Sequence, residues 1–297
     1  LHTVTIHVPP ILRMGCFFDG TGNDTSDPMK FSNVFKLYEV YKSKVDKLPK
    51  CFHSGYVRGV GTEGDGFFDK IMGSAAGVGA IKRIAGMVYE LEKGCVRYKE
   101  KFEVYPEKIL LDVFGFSRGA TTTRHFMNVM KQGFYGFTDG KMQQYISPDI
   151  IKFSFVGLFD SVGSYGVAGD NEDYGYNFNI KKQWIADKGK VIHFNALNEY
   201  RKNFDLQSIF SHQKRECPED IQRGQYYEIG LIGAHSDVGG SYGDNEQGVE
   251  NTHINPTQLS VMALKKMYEF AVGCGVPMKA LSLNNIENDL VEKYRFI

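Results

Sequence analysis

Short apolar runs that stop in glycine or aspartate alternate along this chain with stretches whose apolar residues recur every three or four positions. "ILRMGCFFDG" (11–20), "CFHSGYV" (51–57), "KILLDVFGF" (108–116) and "IKFSFVGLFD" (151–160) read as buried strands, and "QYYEIGLIGAHSD" (225–237) as a strand ending in small residues. "TVTIHV" (3–8) alternates as a half-buried strand does. Helical spacing predicts a helix over 32–45, with Ser32 or Asn33 as its cap and Val34, Leu37, Tyr38, Tyr41 and Val45 on one face. Further helices are predicted over 81–93, 118–130, 191–204 and 255–272, the last with Pro256 at its start. Residues 161–190 read as a long polar loop. Strands alternating with helices predict an α/β fold, a mainly parallel central sheet with helices on both faces. With no internal repeat and no linker, 1–297 is expected to be a single domain.

Composition narrows the function classes. The chain has 297 residues, 42% of them hydrophobic, enough for one large core. Lys plus Arg equals Asp plus Glu at 35 each, and no block of five like charges occurs, so no electrostatic grip on nucleic acid is expected. The five cysteines, Cys16, Cys51, Cys95, Cys217 and Cys274, are scattered without a C-x-x-C pair, which fits reduced thiols. No apolar stretch approaches roughly 18 residues and the first residues lack a basic start with an apolar core, so neither a spanning helix nor a signal peptide is expected.

The sharpest local signal is "ILLDVFGFSRGATTTRHF" (109–126). A G-x-S-x-G alone is weak, but here an apolar strand precedes it and a helical stretch follows. That is the strand, tight turn and helix context that lifts a serine hydroxyl above a parallel sheet. Gly115 and Gly119 leave room where two backbone segments meet beside Ser117. The bland alternative is a glycine-flanked structural turn.

A nucleophilic serine needs a histidine base and an acid to orient it, in α/β hydrolases in the order Ser, Asp or Glu, His. Asp160 follows an apolar strand, at the end where active-site groups gather in an open parallel sheet; the alternative is a turn cap. Of eight histidines, His2, His7, His53 and His125 fall on strands or on the helix behind the serine. His193 falls in a helical pattern and His212 in a polar stretch. His235 lies past the last apolar strand, with His253 as a fallback. The proposed triad is therefore Ser117, Asp160 and His235. Asp237 competes as the acid but sits so near His235 that local bracing of the loop suits it better.

Two amides would serve the oxyanion, that of Arg118 after the nucleophile and one from "FFDGTGND", where Asp19 or Gly20 could point an N–H inward. D-G-T-G is equally good turn sequence. Residues 59–80 carry seven glycines between Gly59 and Gly79, but neither a phosphate-loop nor a dinucleotide fingerprint. No cofactor or metal is required by this chemistry; the acidic "DNEDYG" (170–175) reads as a solvated loop rather than a calcium site.

Together "FFDGTGND", "YVRGVGTEG", "FGFSRGATTTR", "GLFDSVGS", "NALNEYRKNF" and "GAHSDVGGSY" resemble, in order and over roughly residues 11–243, an α/β-hydrolase family that includes type VI secretion lipase effectors. The resemblance implies an α/β-hydrolase-like fold with Ser117 as nucleophile, Asp160 as acid and His235 as base. It implies phospholipase A-type hydrolysis of membrane glycerophospholipids by an antibacterial toxin, with an immunity protein and a secretion spike protein as partners. It also implies a chain made without a signal peptide and acting on the envelope of a target bacterium. Segments 64–80 and 161–190 are the candidates for lids or membrane contact. A soluble carboxylesterase or thioesterase would use the same triad, and a catalytically silent binding module is the alternative of another class.

Overall fold

The computed structural model describes residues 10–20, 31–59, 79–138, 141–163, 177–210, 224–241 and 256–283. Its frame is a six-stranded, wholly parallel sheet whose strands lie side by side in the order 52–57, 11–18, 108–116, 151–159, 185–196 and 226–231. The strands are β1 (Ile11–Phe18), β2 (Phe52–Val57), β3 (Lys108–Phe116), β6 (Ile151–Phe159), β7 (Ile185–Ala196) and β8 (Tyr226–Leu231). An antiparallel pair, β4 (Phe134–Thr138) and β5 (Lys141–Ile146), stands apart. The helices are α1 (Asn33–Val45), α2 (Gly79–Phe102), α3 (Arg118–Met130), the short α4 (His235–Gly239) and α5 (Pro256–Gly273).

The central strands are buried on both faces, which is why they read as unbroken apolar runs. On one face Leu12, Met14, Ile109, Leu111 and Val113 pack with Met87 and Leu91 of α2 and Phe126 and Met127 of α3. On the other, Phe17, Phe114, Phe155 and Phe194 pack with Leu37 and Tyr41 of α1 and Leu264 and Met267 of α5. Each such side chain withdrawn from water contributes about 1.5–3 kcal/mol. An ion pair lies inside this frame: Asp112 of β3 accepts from Arg13 Nε at 2.8 Å and Nη2 at 3.0 Å. Burial pushes the Asp112 carboxyl up, and the Arg13 fork opposes that shift.

Two segments depart from the sequence reading. Residues 191–204 do not form a helix. Val191 to Ala196 complete β7, hydrogen-bonded between β6 and β8, and the chain then turns through a single 3-10 turn at Lys202–Phe204. Correspondingly, the polar loop predicted over 161–190 ends early, since β7 begins at Ile185. Of that loop, residues 164–176, which include "DNEDYG", lie outside the described residues, as do 60–78 of the glycine-rich segment and "TVTIHV". Helix α2 also runs well past its predicted end, to Phe102.

The strand order sets where a ligand can bind. From β1 the chain steps outward to β2, then returns to the other side of β1 with β3. The crevice beyond the carboxyl ends of β1 and β3 is thus a topological switch point, the place where open parallel sheets bind ligands.

Candidate active site

Ser117 stands at that crevice, on a one-residue turn between β3 and α3. Its backbone adopts φ +58° and ψ −130°, a left-handed conformation that a non-glycine residue holds at a cost of about 1–3 kcal/mol. The strained turn is fixed by its neighbours. The Ser117 N–H donates to the Phe159 carbonyl at 3.0 Å, and the Ser117 carbonyl accepts from Ala120 at 3.0 Å and Val162 at 3.3 Å. The glycines explain how the turn fits. A Cβ at Gly119 would meet the carbonyl oxygens of Phe18 and Asp19, and one at Gly115 would meet Thr123 Oγ1 and the backbone of Ala120. The Ser117 hydroxyl makes no capping bond to its own helix.

Asp160, one residue past β6, is also strained, at φ +39°. Its N–H donates to the Phe194 carbonyl at 2.7 Å, and its Oδ1 accepts from the Ala196 N–H at 2.9 Å. That leaves Oδ2 for His235, whose Nδ1 lies 2.6 Å away in a buried contact. An Nδ1–H donating to the carboxylate leaves Nε2 as the basic nitrogen. The imidazole also lies beside the serine turn, because the ring of Phe116, the residue before Ser117, packs on it with centroids 4.6 Å apart. The structure thus joins Asp160 to His235 by a hydrogen bond, and His235 to the elbow by packing.

His235 is not in an irregular loop; it opens the short helix α4. Asp237 braces this helix through Oδ2, which accepts from the Ala234 N–H at 2.8 Å, and makes no contact with the imidazole in its described hydrogen bonds. Burial pushes the Asp237 carboxyl up, with that backbone bond opposing the shift.

The segment misread as a helix supplies what sequence reasoning missed. Asn198 accepts from the Gly233 N–H at 3.0 Å through Oδ1 and donates its own N–H to the Gly233 carbonyl at 3.0 Å. Glu199 Oε2 accepts from the His235 N–H at 3.2 Å. Arg201 grips Glu199 with Nε at 2.8 Å and Nη2 at 2.7 Å. Burial alone would raise the Glu199 carboxyl, but the bonds from Arg201 and from the His235 amide hold it down at about 2. The sequence signal was the polar, aromatic "NEYRKNF" directly after an apolar run, within the motif "NALNEYRKNF".

Behind Asp160 lies a second histidine–carboxylate pair. His193 of β7 is wholly buried, its Nε2 accepting from the Ser161 N–H at 3.1 Å and its Nδ1 standing 3.0 Å from Glu228 Oε2. Accepting at Nε2 requires the proton on Nδ1, so the imidazole is neutral and donates to Glu228. Burial pushes His193 down, in keeping with that form. Burial opposes charge on Glu228 too, yet the bonds from His193, the Ile209 N–H and Ser208 hold it at about 2.

The FFDG loop holds its two candidate oxyanion amides in bonds of its own. The Asp19 N–H donates to the Val57 carbonyl at 3.0 Å, and the Gly20 N–H donates to Asp19's own Oδ1 at 2.7 Å. Both amides of the FFDG turn are therefore engaged within the protein. Asp19 acts here as a hub, its Oδ2 accepting also from Ser32 Oγ at 2.7 Å and Tyr56 Oη at 2.6 Å. Burial, reinforced by this carboxylate, pushes the Tyr56 phenol far up. Arg118 is the first residue of α3, at the end whose opening N–H groups carry the positive pole of the helix dipole.

Several exposed apolar side chains stand on the loops around His235. Leu197 is 60% exposed, Tyr200 84%, Leu206 43% and Ile232 75%. Among the described residues no group of three or more His, Cys, Asp or Glu side chains could hold a metal ion, and no helix is long and apolar enough to cross a membrane.

A family model described as "T6SS, Phospholipase effector Tle1-like, catalytic domain" matches residues 13–145 and 131–269. No curated protein matches the chain. A crystal structure of an uncharacterized protein from Pseudomonas aeruginosa is similar at a TM-score of 0.61 and 20% identity, over 95% of this chain and 48% of that one. The structure of the Tle1 effector bound to the VgrG spike from the type 6 secretion system is similar at 0.63 and 20% identity, over 96% of this chain and 79% of that one. At this identity the likeness is one of fold. The chain spans about half the length of the first of these proteins.

Proposed function

The chain belongs to the family of type VI secretion phospholipase effectors with a Tle1-like catalytic domain, and from that premise we propose that it is a serine phospholipase cleaving acyl esters of membrane glycerophospholipids. The observation that carries this reading is the buried Asp160–His235 hydrogen bond lying beside the strained turn of Ser117. Ser117 Oγ attacks the ester carbonyl while His235 Nε2 takes its proton and Asp160 steadies the imidazolium. The carbonyl oxygen becomes an oxyanion facing the Arg118 amide, with the positive end of α3 behind it. On collapse His235 returns the proton to the departing lysophospholipid oxygen, leaving Ser117 acylated. Water, activated by the same histidine, then releases the fatty acid. For the second amide, Gly20 would have to leave Asp19 as substrate binds.

A phospholipid rather than a dissolved ester is favoured by Leu197, Tyr200, Leu206 and Ile232, whose exposed side chains would meet a bilayer around the site. In this reading the whole stretch acts as one α/β-hydrolase domain on the envelope of a target bacterium, carried by a spike protein and neutralised in the producer by an immunity protein. The test is hydrolysis of defined phospholipids by purified wild type and Ser117→Ala, with released fatty acids identified by mass spectrometry. Loss of release with folding unchanged supports the enzyme. Equal release by the two proteins overturns it, and activity on short soluble esters alone would point to a carboxylesterase.

A further inference from the structure

We infer that Glu199, Arg201 and Phe204 form a clamp that sets the orientation of the His235 imidazole, making them positioning residues for the reaction. The inference rests on His235 being the catalytic base. Two groups of contacts converge on that residue. Through the backbone, Glu199 Oε2 holds the His235 N–H at 3.2 Å. Through the ring, Phe204 meets the imidazole edge to face, with centroids 4.8 Å apart and planes at 67°.

Arg201 ties the two together. Its guanidinium forks Glu199 while lying 3.8 Å from the centroid of Phe204. Such a stack fixes the plane of the phenyl ring, and the ring in turn limits how the imidazole can rotate. Phe116 packs on the same imidazole with centroids 4.6 Å apart, so two phenyl rings contact His235. Asp160 fixes one ring nitrogen, but a single hydrogen bond leaves the ring free to rock about it. The aromatic pair removes that freedom and holds Nε2 in one orientation.

The charge balance bears on the mechanism. Glu199 and Arg201 neutralise each other, and the Glu199 side chain is almost covered while Arg201 remains half in solvent. The clamp therefore brings no net charge to the imidazole and acts through geometry. A displacement on the order of 1 Å at a catalytic group can cost about 100-fold in rate.

The test compares wild type with Arg201→Ala, Phe204→Leu, Phe204→Tyr and Arg201→Lys in the full chain. Three quantities are read: the rate at which a fluorophosphonate labels Ser117, kcat and KM on a short-chain soluble ester, and the pH profile of kcat/KM. Arg201→Ala and Phe204→Leu are expected to lose roughly 10- to 100-fold in both kcat and labelling rate, with KM, the shape of the pH profile and the folded fraction unchanged. Phe204→Tyr keeps the ring and is expected to keep the rate. Arg201→Lys, lacking the planar fork, is expected to be slow. Labelling at the wild-type rate in Arg201→Ala and Phe204→Leu overturns the clamp, as does a loss that only follows the folded fraction. Should those two variants fold poorly, equal rates in Phe204→Tyr and Arg201→Lys overturn it. If wild-type Ser117 itself takes no label, the triad reading fails first.

Discussion

Asp160 and His235, from the ends of β6 and β8, share a 2.6 Å hydrogen bond, while the second carboxylate oxygen of Asp160 is held by the Ala196 amide. The carboxylate is thus committed on both sides, one oxygen to the backbone and one to the imidazole. Asp160→Asn keeps the size but would present an NH2 group to one of those two donors. If the amide oxygen stays with Ala196, the NH2 group faces Nδ1 and draws the proton to Nε2, the wrong nitrogen for a base. The expected result is a fall in kcat of about 10⁴-fold with little change in KM, measured on a soluble ester. A loss below about tenfold would separate Asp160 from the chemistry.

Gly119 is as tightly constrained as the catalytic groups, for a steric reason. An alanine Cβ there would overlap the Phe18 and Asp19 carbonyl oxygens, neither of which can move without pulling on β1. Gly119→Ala is expected to cost on the order of 2–4 kcal/mol of stability and most of the activity. A thermal melt beside the ester assay checks this, and a wild-type melt would show that the β1 end gives way more easily than its hydrogen bonds imply.

How much of this was readable beforehand depended on whether the signal was local. The elbow was, because an apolar strand, a glycine-flanked serine and a helix follow one another within eighteen letters. Asp160 and His235 were readable because a parallel sheet delivers strand ends to one edge. β7 was not. Val191, Phe194 and Leu197 recur at spacings of three, and a short apolar run buried on both faces carries no periodicity to separate strand from helix. That misreading hid His193 against the Ser161 amide and placed "NEYRKNF" on a helix instead of against the start of α4 at His235. The engagement of the Gly20 amide by Asp19 has no sequence signature at all.

His193 and Glu228 make stability depend on acidity in a definite direction. His193 sits below its usual 6.5, so as pH falls past that value the unfolded chain takes up a proton that the folded protein refuses. Glu228 is lowered from 4.5 to about 2, so its contribution is present above 4.5 and lost as pH falls toward 2. Both make stability rise with pH. Melts at pH 7, 6 and 5 should show the wild type losing stability across that span and His193→Gln losing less. Parallel slopes would mean that His193 takes up its proton in the folded state as readily as in the unfolded one.

Leu197 and Ile232 test whether the surface around His235 meets lipid. They follow neighbouring strands, and their hydrophobic side chains stay largely in water although Ala196 just before Leu197 is half-buried and Leu231 just before Ile232 is buried. An aspartate at either position loses an apolar anchor worth about 1.5–3 kcal/mol and places a charge where headgroups would lie. Because both sites are exposed, folding should be unaffected. Leu197→Asp and Ile232→Asp are therefore expected to hydrolyse phospholipid vesicles roughly tenfold or more slowly, while cleaving a dissolved short-chain ester at the wild-type rate. Equal losses on both substrates would place these residues in the chemistry. No loss on either would leave the rim without a part in reaching the membrane.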